Sequence, residues 1–437
     1  MENVNKKILL LSTGDINGAY EAIYKLGCFF IEQNHTLSML VKYKTRNDRF
    51  IVQYLNESKT KKKKTIIERI FIKIKNRIVY KSRFKLKQVY FDEKYFFISK
   101  DETIVNTSAE QIIKQIGFIP EFIFTGMTSG FMNSTDLLNL QKITKAQVYN
   151  ITVDMNHFTG GCHYAWDCEG YIKGCNEECP AIIGSNDRNI AKINFETKLK
   201  NAQEGDFKVI GMSNWTVKQA QNSKIYKTQD FIPNFNSMID TKLFNAKNKD
   251  IAKRIFDFDN SKFYIMAGSQ NASDPRKGFL YFIEALKILE EKLTTEQKNK
   301  IVILAVSRNV PKEFESLQFI KQKLDYITDY RLLVLLYQAI NLFVNSSIED
   351  SGPMMVSEAM SCGTPVVGFD MGIVNNMVIN NFNGYKAILK DSKDLAFGIK
   401  TILELSTEDY KAYSQNAVKQ VQVYSSFETL KDINILK

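Results

Sequence analysis

Short apolar runs that alternate with helically spaced apolar residues, in two successive series, constrain this chain most. In the first series KKILLLS leads into GAYEAIYKLGCFFIEQ, and HTLSMLVKY, PEFIFTGM and AQVYNITVDM follow. In the second, SKFYIMAGS precedes KGFLYFIEALKILEEKL, and KIVILAVS, YRLLVLLYQAINLFVNSS and SEAMSCGTPVVGFDMG follow. Runs apolar at every position suit strands buried on both faces, and intervening helices supply the cover. The pattern therefore predicts two doubly wound α/β domains with parallel sheets. The length of 437 residues agrees, because a single core rarely grows that large.

The expected division is an N-terminal domain over 1–205, a last strand, helix and crossover over 206–244, and a C-terminal domain over 245–437. The last helix is a candidate to return to the first domain. Pro233 punctuates the crossover. No stretch carries about 18 uninterrupted apolar residues, which excludes a plain spanning helix. The N-terminal run leads straight into a strand–turn–helix pattern, so it reads as a first strand and not a leader.

The formal charge is +11. Its excess is concentrated in an arm over 57–90, where 13 Lys or Arg stand against Glu57 and Glu68. Ile66, Ile67, Ile70, Phe71, Ile74 and Ile78 fall at helical spacing there. A basic amphipathic helix over 59–87 suits an anionic membrane surface. A helix packed on its own domain with a solvated face fits the same pattern. The arm carries no nucleic-acid module, so nucleic acid is not an expected partner.

Three stretches of the second half carry chemistry. In AGSQNASDPRKGF a strand ends at Gly268, and Arg276 and Lys277 precede a helix, where two cations can neutralise a diphosphate. In EDSGPMMVSEAM, Asp350 and Glu358 stand eight apart around Gly352 and Pro353. Pro353 suits a first helical turn. The two acids can hydrogen-bond hydroxyls at two points of one elongated ligand, or simply complement the helix dipole. SCGTPVV then ends the helix and launches a strand. In the first half, Gly14 and Gly18 form a strand-to-helix turn that serves either as an ordinary connection or as an anion-binding loop.

EDSGPMMVSEAMSCGTPVV resembles the signature of retaining glycosyltransferase family 4, whose GT-B fold is two facing Rossmann-like domains. The resemblance covers nearly the whole chain. It implies that Asp350 holds donor-sugar hydroxyls, with Glu349 the alternative by its spacing from Gly352. It implies that Glu358 holds the ribose and Lys277 the diphosphate, and that Gly18 lies in the loop near the donor. The family often has an Arg after the glycine of the strand before RKGF; here Ser269 follows Gly268, which leaves Arg276 as substitute cation.

VDMNHFTGGCHYAWDCEGYIKGCNEECPA resembles a branch that builds bacterial surface polysaccharides. Val153 stands where the branch carries a His. Asp154 remains as a candidate catalytic group, and His157 and His163 are the nearby imidazoles. The implied reaction moves a sugar from a nucleotide-diphosphate sugar to a saccharide acceptor, lipid-linked, with no obligatory metal. The implied place is the cytoplasmic face of the membrane. A non-catalytic nucleotide-sugar-binding partner and a GT-B epimerase share the architecture and stay open.

Cys162, Cys168, Cys175 and Cys179 crowd into 18 residues. Four soft ligands can hold one tetrahedral structural zinc. Disulfides, or four free thiols packing a loop, answer the same spacing.

Overall fold

The computed structural model describes residues 5–16, 18–56, 90–98, 101–183, 189–426 and 436. The basic arm over 57–90 lies outside them except for the backbone of Tyr90. The chain divides into two compact units. Leaving aside the last two residues, the first comprises Met1–Ile210 and Val217–Pro233, and the second Gly211–Thr216 and Asn234–Ile435.

The first unit holds β1 (Lys7–Ser12), α1 (Gly18–Glu32), β2 (Thr36–Val41), β3 (Ile51–Gln53), β4 (Tyr90–Phe91), α2 (Ala109–Ile116), β5 (Phe122–Thr125), α3 (Ser134–Thr144), β6 (Gln147–Ile151), β7 (Ile182–Ile183), α4 (Ile190–Glu204) and β8 (Lys208–Ile210). Its main sheet runs β3-β2-β1-β5-β6-β8, every pair parallel. The strands β4 and β7 form a small antiparallel pair. Ile8, Leu9, Leu10 and Leu11 are fully buried, as a central strand covered on both faces requires. Helix α1 turns Ile23, Leu26, Phe29 and Phe30 inward. Helix α3 starts on a reciprocal capping box between Asn133 and Asp136.

Helix α5 (Asn214–Asn222) spans a point where the chain passes from one unit to the other. The second unit continues with α6 (Lys249–Ile255), β9 (Phe263–Gly268), α7 (Phe279–Lys292), β10 (Ile301–Val306), β11 (Ile320–Leu324), α8 (Tyr330–Ala339), β12 (Leu342–Asn345), α9 (Met354–Ser361), β13 (Val366–Phe369), β14 (Gly384–Ala387), α10 (Ser392–Leu403) and α11 (Thr407–Tyr424). Its parallel sheet runs β11-β10-β9-β12-β13-β14. Helix α11 packs on α9 within this unit. Both units are doubly wound Rossmann-like domains, as the alternation predicts. Among the described residues no helix is long and apolar enough to cross a membrane.

Each strand order reverses direction once, beside β1 and β5 in the first unit and beside β9 and β12 in the second. In open parallel sheets, ligands bind outside the carboxyl ends of the strands at such a reversal. The loops after β1, β5, β9 and β12 are therefore where chemistry is expected.

Candidate functional site

In the second unit, the loop after β9 meets the loop after β12. Pro275–Lys277 form one tight turn, and Gly278 caps α7. The Arg276 carbonyl accepts from Ile348 N at 2.8 Å, and the Lys277 carbonyl accepts from Ser346 Oγ at 2.9 Å. These bonds sew the two loops together, so Lys277 Nζ donates to Asp350 Oδ2 across 73 residues of sequence. Burial pushes the Asp350 carboxyl up. The Lys277 and Arg276 cations beside it, with a bond from Gly352 N, outweigh that and hold it below the usual carboxylate range. Arg276 pairs with Asp274 at 2.5 Å.

The ends of the same two strands carry unmet polar atoms. Ser269 Oγ and Asn345 Nδ2, just past or at the carboxyl ends of β9 and β12, are buried without a hydrogen-bond partner. A buried unmet polar atom is costly, so each of these calls for a partner. The other expected groups of the second unit are held in different ways. Glu349 is buried in the loop itself. The Gly352 carbonyl accepts from Ser237 Oγ at 3.2 Å. Glu358 is 3% exposed inside α9 and accepts from Tyr337 Oη at 3.3 Å.

In the first unit, the glycine turn after β1 is tied to the loop after β5. Thr13 N donates to Met127 O at 2.8 Å, and Thr13 Oγ1 donates to Ser129 O at 3.0 Å. Gly18 is exposed at the start of α1. Asp15 is fully buried, and its Oδ2 accepts from Thr45 N and Arg46 N, both at 2.8 Å. Arg46 reaches on to Glu21 at 2.6 Å. Spacing could not have found this network, because its members stand 25 to 31 residues apart.

Asp154, a candidate catalytic group by sequence, is 3% exposed and already committed. Its Oδ1 accepts from Asn156 N, and its Oδ2 meets His163 Nδ1 at 2.8 Å. The other ring nitrogen of His163 lies 3.0 Å from Ser129 Oγ. Asp154 therefore acts on its surroundings through His163. The other imidazole, His157, donates from Nε2 to Gly126 O at 3.1 Å.

Desolvation is the largest influence on His157 and drives its pKa down to about 4, with Lys198 and His163 adding to the fall and Asp154 opposing it. Unfolded, the ring would titrate near 6.5. Between those values the unfolded chain binds more protons, so stability is lost as pH falls from about 6.5 to 4. The full shift corresponds to about 3 kcal/mol, less the part that partial exposure screens. His157→Gln should flatten the acid limb of a plot of unfolding free energy against pH. An unchanged limb would show that His157 is not neutral in the fold.

The four cysteines gather near one another without forming disulfides. Cys168 Sγ and Cys175 Sγ both come within 3.3 Å of where a Gly170 Cβ would stand. Cys162 packs into a small core with Phe97, Ala181, Ile182 and Ala191, and Cys175 and Cys179 border it. Burial pushes the Cys175 thiol up to about 12 and raises Cys162 and Cys179 as well. Among the described residues no three His, Cys, Asp or Glu side chains are grouped so as to hold a metal ion. A tetrahedral zinc on these four sulfurs stays an expectation from the sequence. The adjoining His163 ring is turned to Asp154 instead. Burial of Cys162 beside Phe97 and Ala181 is what this geometry provides.

Residues 248–420 match the family model for group 1 glycosyl transferases. Among curated proteins, no relative matches the sequence. Solved structures share the fold over nearly the full length. A glycosyltransferase from Rickettsia africae superposes with a TM-score of 0.63 at 16% identity, covering 99% of this chain and 97% of that one. The sucrose-phosphate synthase of Thermosynechococcus elongatus gives 0.61 at 14%, covering 98% and 96%. Anabaena HepE in complex with UDP-glucose gives 0.59 at 14%, covering 98% of each. The fold these neighbours share with the chain is GT-B, two Rossmann-like domains. The matched stretch contains Lys277, Asp350 and Glu358, which supports glycosyl transfer as the chemistry.

Proposed function

We propose that the chain is a retaining glycosyltransferase that moves a sugar from a nucleotide-diphosphate sugar to a saccharide acceptor. The observation that carries this is the pairing of Lys277 with Asp350 between the loops after β9 and β12, the two strands that flank the strand-order reversal of the second unit. A cation and a carboxylate on adjoining loops match two parts of such a donor, the diphosphate and the sugar hydroxyls. The UDP-glucose held by the Anabaena neighbour supports a donor of that class.

Lys277, with Arg276 behind it, would stabilise the charge that develops on the departing diphosphate. Asp350, released from Lys277 by the phosphate, would accept from donor-sugar hydroxyls, with Glu349 beside it. Glu358 would take the ribose. The anomeric carbon–phosphate oxygen bond breaks as the acceptor oxygen bonds on the same face, and the acceptor proton passes to the leaving phosphate. Electrostatics from Lys277 and the α9 N-terminus serve this step without an obligatory metal. The 13 basic residues of the arm favour a lipid-linked acceptor at the cytoplasmic face of a membrane, in surface-polysaccharide assembly.

The test incubates the protein with a panel of nucleotide-sugars and a bacterial membrane lipid extract, and records nucleoside diphosphate and labelled product. Release with one donor, dependent on the extract and yielding a retained linkage, is the expected result. Donor binding without release across the panel would favour a binding partner. Conversion of the donor's sugar with no acceptor would favour an epimerase.

A further inference from the structure

The first unit contains a hydrogen-bond chain that the donor site does not use. Ser129 Oγ, His163 and Asp154 are linked in series at 3.0 and 2.8 Å. Asp154 and His163 are 3% and 2% exposed, whereas Ser129 is partly exposed in the loop after β5. That loop stands at the strand-order reversal, and its carbonyls at Met127 and Ser129 hold the glycine turn through Thr13.

The direction of these bonds follows from the buried end. An ionised carboxylate only accepts, so Asp154 takes the proton on His163 Nδ1. In the neutral imidazole, Nε2 is then an acceptor and takes the proton of Ser129. The Ser129 hydroxyl has spent its only donor inward and offers lone pairs outward. A lone pair attracts a hydroxyl donor and repels a phosphate oxygen.

We propose that Asp154 and His163 are positioning residues that set Ser129 as an acceptor-only contact for a hydroxyl of the saccharide acceptor, other than the hydroxyl that reacts. This rests on the transferase reading and adds which groups of the first unit select a neutral sugar over an anion. Asp154→Asn should invert the chain. Asn can donate to Nδ1, which leaves the proton on Nε2, pointed at Ser129. Ser129 then accepts inward and loses its fixed outward polarity.

The experiment measures binding of octyl glycosides, and of their singly deoxygenated counterparts, to the full chain at pH 8, with inorganic phosphate as counter-probe. The wild type should bind at least one glycoside. Ser129→Ala and Asp154→Asn should each weaken it about 5- to 10-fold, one hydrogen bond's worth. One deoxy-glycoside should lose that same factor in the wild type and nothing further in Ser129→Ala, a coincidence that a merely structural role would not produce. Proton NMR should show a low-field His163 Nδ1–H that vanishes in Asp154→Asn while thermal melting keeps its cooperativity. Equal glycoside binding by wild type and Ser129→Ala, no binding by any glycoside, or phosphate displacing glycoside at Ser129 would each overturn the inference. Glycoside binding that depends on Ser129, with no diphosphate released from any donor, would instead overturn the transferase reading alone.

Discussion

In Lys277→Ala, diphosphate release at saturating donor is expected to fall about 10²- to 10³-fold, the scale on which removing one preorganised charge-stabilising group acts. The donor KM should change far less, because the diphosphate gains most of its charge in the transition state. Two physical effects combine. The variant loses the cation placed for the leaving group. It also leaves Asp350, only 16% exposed, without the partner it has in the free protein. Asp350 would then keep only Arg276 and the Gly352 N–H to offset its charge beside the departing phosphate. Asp350→Ala should therefore cost less in the Lys277→Ala background than alone, a non-additivity expected of groups in contact. Turnover within about threefold of the parent in Lys277→Ala would be inconsistent with a dominant electrostatic role for this residue.

Gly278→Ala should destabilise the second unit and disable the donor site together. Gly278 has φ +60, and an added Cβ would stand 2.0 Å from Ser346 O. The left-handed backbone costs an alanine about 1–3 kcal/mol, and the clash with a backbone carbonyl adds to that, since the strand end at Ser346 cannot retreat without breaking its bond to Lys277 O. The thermal midpoint should drop, and donor affinity should drop in the protein that remains folded, because Lys277 and Asp350 ride on the two loops that are forced apart. Gly18→Ala is the control. Gly18 also has positive φ, +48, but its Cβ would meet nothing within 4 Å. It should show the backbone strain without the clash. Equal midpoints for the two variants would mean that the loops after β9 and β12 are not held in the register described.

The charged groups of the second unit were legible because they are local. Lys277 sits in an RKG run at a strand-to-helix turn, and Asp350 and Glu358 flank a helix start that Pro353 marks. Their spacing follows from one turn or one helix, and the sequence carries such distances directly. Even so, it gave Lys277 and Asp350 as separate points. That they pair depends on Ser346 and Ile348 hydrogen-bonding to the backbone of the preceding loop. The first unit was less legible. Asp154 stood out by resemblance as a group facing the reaction, but the fold buries it against His163. Ser129 gave no signal at all, since a serine beside a glycine marks any turn. The cysteines were read as candidate ligands from their density, and the fold packs Cys162 among Phe97 and Ala191 with Cys175 and Cys179 at the border.

The sequence by itself determined the two parallel sheets, because strand and helix periods are properties of consecutive residues and a run such as KILLLS has no stable place outside a covered sheet. It determined as well which loops carry charge. Only the tertiary structure decided which charges meet. Lys277 finds Asp350 across 73 residues and Ser129 finds His163 across 34. Those pairings follow from the order of strands in each sheet, which brings loops of distant sequence to one edge, and no local pattern records that order.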